Sequence, residues 1–221
     1  LRRRVEPEDR RCFAFFHPAM PDEPLIFVEV ALTRGIPGSV QGVLAEDRDA
    51  LPAEQADTAV FYSISNCQEG LAGISFGNSL IKQVAADLSI ELPGLKTFVT
   101  LSPIPGLRAW MNEAAPDADP ADDAKMRALA AHYLVRAKGT GGAPRDPVAR
   151  FHLGNGASVH QVHAGADRSP KGQAQSHGVM VNYLYDLARV AQNHERFAGA
   201  GDVATSSEVR ALCASGDKML A

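Results

Sequence analysis

The amino-acid sequence predicts an α/β or α+β fold, in which a sheet is flanked by helices. Two short apolar runs, 25–32 and 58–65, have the length and the residue types of strands. After Gly77 the period changes, because apolar residues recur at helical spacing until Pro93 and Gly94 stop the helix. Strands that alternate with helices in this way are typical of a sheet on which helices pack.

The rest of the chain continues the alternation. A third strand is predicted over 97–101, and an acidic loop then ends in residues that can cap a helix over 125–138. The Gly- and Pro-rich segment 139–147 is expected to be a flexible linker. Alternating polarity predicts a strand over 158–163, and the pattern over 180–193 predicts a helix.

The composition restricts the partners and the compartment. A net charge of −4 and a pI near 6.0 argue against a nucleic-acid partner, which would favour a basic face. No apolar run approaches the roughly 18 residues that span a bilayer, so no membrane partner is expected. The cysteines, Cys12, Cys67 and Cys213, are too widely spaced for a CxxC pair or a disulfide framework. This cysteine usage predicts a cytoplasmic protein.

The length is sufficient for one hydrophobic core, and we expect 1–221 to be a single domain. The sequence does not begin with methionine, so a fragment or a processed form is expected. No metal site is predicted: His160 and His163 are three apart on a predicted strand and should face opposite sides.

A glycine-rich turn lies between the strand 58–65 and the helix that begins near Gly77. Glycines let backbone N–H groups converge there, and the helix N-terminus adds partial positive charge, which suits a pyrophosphate. The spacing is neither GxGxxG nor a Walker loop. The turn Gln68-x-Gly70-x-x-Gly73 resembles the pyrophosphate-binding turn of the GNAT-type acetyltransferase fold, which holds coenzyme A. A tight turn without a ligand is the alternative.

Two further side chains are candidates for catalysis. Ser102 precedes Pro103 and Pro105, which fix the backbone and hold the hydroxyl in a rigid corner. His152 enters a Gly-Asn-Gly turn, and an imidazole suits proton transfer at neutral pH. The alternatives are a serine that satisfies a turn and a histidine packed in the core. The serine is not in a GxSxG elbow, so a hydrolase triad is not favoured.

The segment Asn182, Tyr183 and Tyr185 offers amide and hydroxyl donors to a pocket, with plain packing as the alternative.

Five ordered segments are similar to malonyl-CoA decarboxylases: RRCFAFFHPAMPDEPLIFVEVALT (10–33), FYSISNCQEGLAGISFGNSLIKQV (61–84), LSPIPG (101–106), FHLGNGA (151–157) and GVMVNYLYDL (178–187). The similarity covers nearly the whole chain apart from the acidic loop and the tail. It implies a GNAT-type, acetyltransferase-like mixed sheet flanked by helices. It also implies conversion of malonyl-CoA to acetyl-CoA and carbon dioxide without a metal or another cofactor; coenzyme A is part of the substrate.

The resemblance also implies the site residues. The catalytic serine falls on Ser102 and the catalytic histidine on His152, and Tyr185 is a further pocket residue. The residues expected to bind coenzyme A are Gln68, Gly70, Ala72, Gly73, Ile74, Ser75, Phe76, Gly77, Asn78 and Asn182. Some members of the family have glutamate where Ser75 stands. A helical region associated with oligomerisation precedes this domain in the family and is not expected within 1–221, and a homo-oligomer is expected of the full-length protein.

Chemistry suggests roles for these residues. Loss of carbon dioxide from a malonyl thioester leaves an enolate, which needs hydrogen-bond donors at oxygen and a proton at carbon. The hypothesis is that His152 protonates the carbon as imidazolium, while Ser102 and Tyr185 hold the carboxylate. An acyl-CoA-dependent acyltransferase is one alternative, although the strand around 62–65 offers no carboxylate as a base. A non-catalytic acyl-CoA-binding module is the other.

Overall fold

The computed structural model describes residues 7–68 and 77–221, with backbone alone at 77–79. Its strands are β1 (Arg10–His17), β2 (Met20–Thr33), β3 (Thr58–Asn66), β4 (Thr97–Thr100), β5 (Ser102–Pro103), β6 (Ser158–His163) and β7 (Met180–Leu184). Its helices are α1 (Val40–Leu44), α2 (Gly77–Glu91), α3 (Leu107–Ala114), α4 (Asp123–Val135), α5 (Pro147–Gly154), α6 (Pro170–Ser176), α7 (Val190–Ala200) and α8 (Ser207–Met219). The chain divides into two compact units, one of residues up to 37 with 43–100, the other of 38–42 with 101–221. The single domain stays a prediction.

The first unit is built on a mixed sheet. β1 pairs antiparallel with β2, β2 pairs antiparallel with β3, and β3 pairs parallel with β4. Parallel pairing requires a crossover, and α2 supplies it between β3 and β4. The apolar stripe of α2, which includes Ile81, Val84 and Leu88, is fully buried. The strands predicted over 25–32, 58–65 and 97–101 and the helix from Gly77 are therefore confirmed.

The second unit contains a three-stranded antiparallel sheet with β7 in the middle. β5 and β6 both pair antiparallel with β7, and Ser102 lies opposite Val181. The helix predicted over 125–138 is α4, which ends earlier, at Val135; Asp122 caps it by accepting a hydrogen bond from the Lys125 N–H. The strand predicted over 158–163 is β6.

The helix predicted over 180–193 is wrong. Residues 180–184 form strand β7, and the next helix, α7, begins only at Val190. Val179, Val181 and Tyr183 are completely buried, and the strand pairs with both β5 and β6. A short apolar run of this kind fits a buried strand and a buried helix equally well, and the pairing partners decide between them.

The segment 139–147 is more structured than a linker. A 3-10 turn covers Thr140–Gly142, and Lys138 forms a β-bridge with Pro144. Both guanidinium nitrogens of Arg145 donate to the Glu113 carboxylate at 2.8 Å, which fastens the segment to α3.

A β-bulge in β6 alters the faces predicted for its histidines. Val159 pairs with Tyr183 and Gln161 with Asn182, so His160 is an extra residue in the strand. The extra residue breaks the alternation, and burial together with His163 lowers the pKa of His160. The regular alternation on which the opposite faces of the two histidines were predicted is therefore interrupted between them.

No helix in the described part of the chain is long and apolar enough to cross a membrane.

Candidate active site

Helix α5 presents His152 from its last turn. Asp146 caps the helix with its side chain, and Pro147 occupies the first turn, where a missing N–H does no harm. Gly156 ends this segment with φ of +82°, which returns the chain towards β6. His152 is buried, with 3% of its surface exposed.

Ser102 and two tyrosines share one face of the second sheet. Ser102 lies opposite Val181 in the register of β5 and β7, so the two side chains stand on the same side. Tyr183 is two residues further along β7 and faces the same side. Tyr185 follows directly after the strand and is also buried.

Ser102, His152 and Tyr185 form a continuous series of hydrogen bonds. The Ser102 Oγ lies 3.1 Å from Nε2 of His152, and the Tyr185 hydroxyl lies 2.9 Å from Nδ1 of the same ring. The Tyr183 ring stacks on the imidazole, with centroids 4.5 Å apart. The three residues predicted to be catalytic, Ser102, His152 and Tyr185, are thus brought together.

Burial determines the charge of the imidazole. Desolvation lowers the pKa of His152 to about 3, so the ring is neutral at physiological pH. The hypothesis of an imidazolium is wrong for this site. The local sequence predicts an ordinary histidine, whereas in the fold aromatic rings surround the imidazole.

The neutral ring carries one hydrogen, and its neighbours indicate where. Burial raises the pKa of Tyr185, so the phenol keeps its hydrogen. In the described residues Nδ1 of His152 is the one acceptor that this hydroxyl reaches. We infer that Tyr185 donates to Nδ1, that Nε2 carries the ring hydrogen, and that Nε2–H donates to the Ser102 oxygen. Ser102 then retains its own O–H as a donor. Tyr185 thus contacts the imidazole directly, and its predicted role in holding the carboxylate stays a prediction.

Asn182 lies outside the series of hydrogen bonds that joins Ser102, His152 and Tyr185. It alternates with Val181 and Tyr183 along β7 and so faces the opposite side of the strand. There its amide oxygen bonds to Nε2 of His163. The structure does not bring it together with Ser102 and His152.

The predicted coenzyme A turn lies mostly outside the described residues. This holds for Gly70, Ala72, Gly73, Ile74, Ser75 and Phe76. Gly77 and Asn78 form the start of α2, and the amide nitrogen of Gln68 donates to the Pro24 carbonyl oxygen at 3.3 Å. The predicted binding role of these residues stays a prediction.

One buried acid in the second unit was missed. Asp146 is fully buried and contacts the first turn of α5, although the sequence pattern predicts a flexible linker over 139–147. The signal was present, because Asp followed by Pro is a common start of a helix.

Within residues 7–68 and 77–221, no three His, Cys, Asp or Glu side chains are grouped as metal ligands.

Comparison with known proteins identifies the family. The family model of the malonyl-CoA decarboxylase C-terminal domain matches residues 1–122 and 115–220. The chain belongs to the malonyl-CoA decarboxylase family. It is 35% identical to "Malonyl-CoA decarboxylase, mitochondrial" of Anser anser anser, over 95% of this chain and 50% of that protein. The crystal structure of malonyl-CoA decarboxylase from Agrobacterium vitis is 50% identical and has a TM-score of 0.88, over 96% of this chain and 58% of that one. The chain thus spans about half the length of the curated relatives it matches.

A more distant likeness supports the fold class. The GphF GNAT-like decarboxylase, solved in complex with isobutyryl-CoA, has a TM-score of 0.54 at 22% identity. The match covers 83% of this chain and 81% of that one. At this identity the likeness concerns the fold alone. The predicted GNAT-like mixed sheet flanked by helices is confirmed.

Proposed function

We propose that this chain carries the decarboxylation of malonyl-CoA to acetyl-CoA and carbon dioxide. The observation that supports it best is the buried chain from Tyr185 through His152 to Ser102. Its hydroxyl end is a hydrogen-bond donor held in a site of low polarity, where a donor stabilises developing negative charge most effectively. A non-catalytic binding module would not need a buried chain of this kind.

The reaction requires such a donor. The bond between the α-carbon and the carboxylate breaks, carbon dioxide leaves, and the electron pair forms an enolate whose charge lies mainly on the thioester oxygen. Ser102 donates its O–H to the substrate as this charge develops. One donor of this type is typically worth about 3 to 4 kcal/mol of barrier lowering.

Proton delivery follows the same chain. The enolate carbon takes one proton from Ser102, the Nε2 hydrogen of His152 replaces it, and the Tyr185 hydrogen moves to Nδ1. The enolate is a far stronger base than a phenolate, so the transfer is downhill even though burial raises the pKa of Tyr185. After the product leaves, a proton from solvent enters at Ser102, a Ser102 hydrogen returns to Nε2, and the Nδ1 hydrogen returns to Tyr185. The starting tautomer is restored, and the net reaction consumes one proton.

The coenzyme A part of the substrate is proposed to bind at the turn that includes Gln68, Gly70 and 72–78, with Asn182 retained as a candidate from the family resemblance. The turn leads into α2, whose N-terminus favours anions. We propose no cofactor other than the coenzyme A of the substrate. The homo-oligomer and the cytoplasmic location also remain proposals; the relative from Anser anser anser is named as mitochondrial.

The test is product analysis after incubation with malonyl-CoA and no acceptor. Equal amounts of acetyl-CoA and carbon dioxide are expected, with one deuterium in the acetyl methyl group when the solvent is D₂O. The decarboxylase from Agrobacterium vitis serves as the positive control. Unchanged malonyl-CoA beside an active control would contradict the proposal, and acyl transfer on addition of amines or alcohols would favour the acyltransferase.

A further inference from the structure

Asp146 is a buried acid that the proposed reaction does not use. None of its surface is exposed, and it lies immediately before α5. Its Oδ1 accepts the Ala149 N–H at 2.8 Å. Its Oδ2 lies 4.0 Å from the position that a Cβ would take on Gly106, and the backbone N–H groups of Gly106 and Val148 lower the pKa of the carboxyl. One side chain therefore contacts both the first turn of α5 and the turn at Gly106.

These two backbone segments carry the catalytic pair. His152 lies in the last turn of α5, so a displacement of the helix start moves the imidazole with it. Ser102 begins the segment that ends at Gly106, and two prolines within it, Pro103 and Pro105, fix the backbone between them. A contact between Asp146 and Gly106 thus connects the supports of Ser102 and His152 through two stiff pieces of chain.

The surroundings of Gly106 leave little freedom at this contact. A Cβ at Gly106 would overlap the Tyr133 hydroxyl and would lie 4.0 Å from Oδ2 of Asp146. The hydroxyl and the carboxyl therefore enclose the glycine, and no larger residue fits between them.

The carboxyl acts here as a hydrogen-bond acceptor and does not require a charge. Among the described residues its Oδ2 has no hydrogen-bond partner. A charged oxygen in this position would be strongly disfavoured. Burial raises the pKa of Asp146, against the three backbone N–H groups and Arg150, which lower it. A neutral amide of the same shape can make the same contacts through its oxygen.

We propose that Asp146 is a positioning residue of the active site, which joins α5 to the Gly106 turn and so sets the distance between Ser102 and His152. The inference rests on the proposed decarboxylation, because that reaction is what the distance serves. Asp146 does not touch the substrate and acts only through the two segments.

Three substitutions at this position separate the contributions. Asp146→Ala removes both contacts. Asp146→Ser retains a helix cap but is too short to reach Gly106. Asp146→Asn retains both contacts without a charge. The matched control is Asp122→Ala, which removes the exposed aspartate cap of α4.

We expect turnover to fall when Asp146 loses its contact with Gly106, and not when a helix cap alone is removed. A misplacement of catalytic groups by about 1 Å can lower the rate roughly 100-fold, so Asp146→Ala and Asp146→Ser should lower kcat about 10- to 100-fold. Their KM for malonyl-CoA should change less than about twofold, because only transition-state interactions are lost. Asp146→Asn should recover most of kcat, and Asp122→Ala should match the unsubstituted protein.

A second readout does not depend on activity. Protein with ¹⁵N-labelled histidine reports the His152 ring nitrogens by NMR, and these signals should move in Asp146→Ser but not in Asp146→Asn or Asp122→Ala. If the unsubstituted protein fails to decarboxylate malonyl-CoA, the proposed function fails while this measurement still decides the role of Asp146.

The role is overturned if Asp146→Ser keeps full kcat and unshifted His152 signals, because Asp146 is then only a helix cap. It is also overturned if Asp146→Asn loses as much as Asp146→Ala, since a charge is then required. Should Asp146→Ala not fold, Asp146→Ser, which retains the cap, gives the answer.

Discussion

The hydroxyl of Tyr185 lies 2.9 Å from Nδ1 of His152, and both side chains are buried. We infer that the phenol, which keeps its hydrogen, donates it to Nδ1, so that Nε2 carries the ring hydrogen. In this tautomer the Ser102 oxygen accepts a hydrogen bond from Nε2–H, and the Ser102 O–H serves as a hydrogen-bond donor. A serine arranged as a nucleophile would instead donate to an unprotonated Nε2. The direction of one hydrogen bond thus favours decarboxylation over acyl transfer to the serine.

Tyr185→Phe tests this direction. The substitution removes the donor to Nδ1, so the neutral ring can adopt either tautomer and Ser102 is no longer held as a donor. We expect kcat for acetyl-CoA formation to fall roughly 10- to 100-fold, within the usual range for loss of acid–base positioning. Tyr183→Phe is the comparison, because it keeps the ring that stacks on His152. Equal losses in both variants would contradict the assigned tautomer.

Ser102→Ala tests the donor itself. The methyl group cannot donate to the developing enolate, so kcat should fall by about 100- to 1,000-fold, as for loss of an oxyanion donor. Affinity for acetyl-CoA, measured by calorimetry, should be retained, because the product carries no such charge. Ser215→Ala, in an exposed serine of α8, is the control. Unchanged turnover in Ser102→Ala would remove the serine from the mechanism.

The sequence predicted the first unit well and the second only in part. The strand 58–65 and the helix from Gly77 have clear periods, and the structure confirms both. The strand at 180–184 was mistaken for a helix because its identity depends on pairing with β5 and β6, which no local pattern records. Local patterns made Ser102, His152 and Tyr185 candidates, and the family resemblance favoured them over the alternatives of turns and packing. The sequence did not reveal that His152 is neutral, because some of the residues that bury its ring are distant in the sequence.

Stability should depend on pH through His152. Its pKa is about 3 in the folded state and near 6.5 in the unfolded chain, so between these values the unfolded state binds one more proton. The contribution of His152 to the free energy of unfolding is therefore fully present above about pH 6.5. It is lost as the pH falls towards 3, by about 1.4 kcal/mol per pH unit.

His152→Gln, which cannot be protonated, should show a smaller loss over this range. Urea unfolding of both proteins at several pH values gives the difference between their free energies of unfolding. Groups that titrate alike in both proteins do not contribute to this difference. A constant difference across the range would show that the ring is solvated and charged.

The titration of Asp146 should make stability depend on pH with the opposite sign. Burial raises its folded-state pKa above the 3.8 of an ordinary aspartate. Its contribution to stability is then fully present below about pH 3.8 and is lost as the pH rises through the folded-state pKa, because the unfolded state releases its proton first. Asp146→Asn should therefore gain stability relative to the unsubstituted protein as the pH rises. The same urea series measures this gain, and a fixed difference between the two proteins would mean that Asp146 titrates normally.

Gly156→Ala should disrupt the end of α5. Gly156 has φ of +82°, and a Cβ there would overlap the carbonyl oxygen of Val190. The left-handed conformation alone disfavours alanine by about 1 to 2 kcal/mol, and the overlap adds to it. We expect a loss of at least about 2 kcal/mol in the free energy of unfolding.

Gly154→Ala is the matched control, since nothing lies within 4 Å of its Cβ position. It should leave stability unchanged or raise it by up to about 1 kcal/mol. Chemical denaturation of the two variants side by side gives both values. If the two substitutions are equally tolerated, the loop after His152 is not fixed by Gly156, and the imidazole must be held in place by its aromatic neighbours and Tyr185 alone.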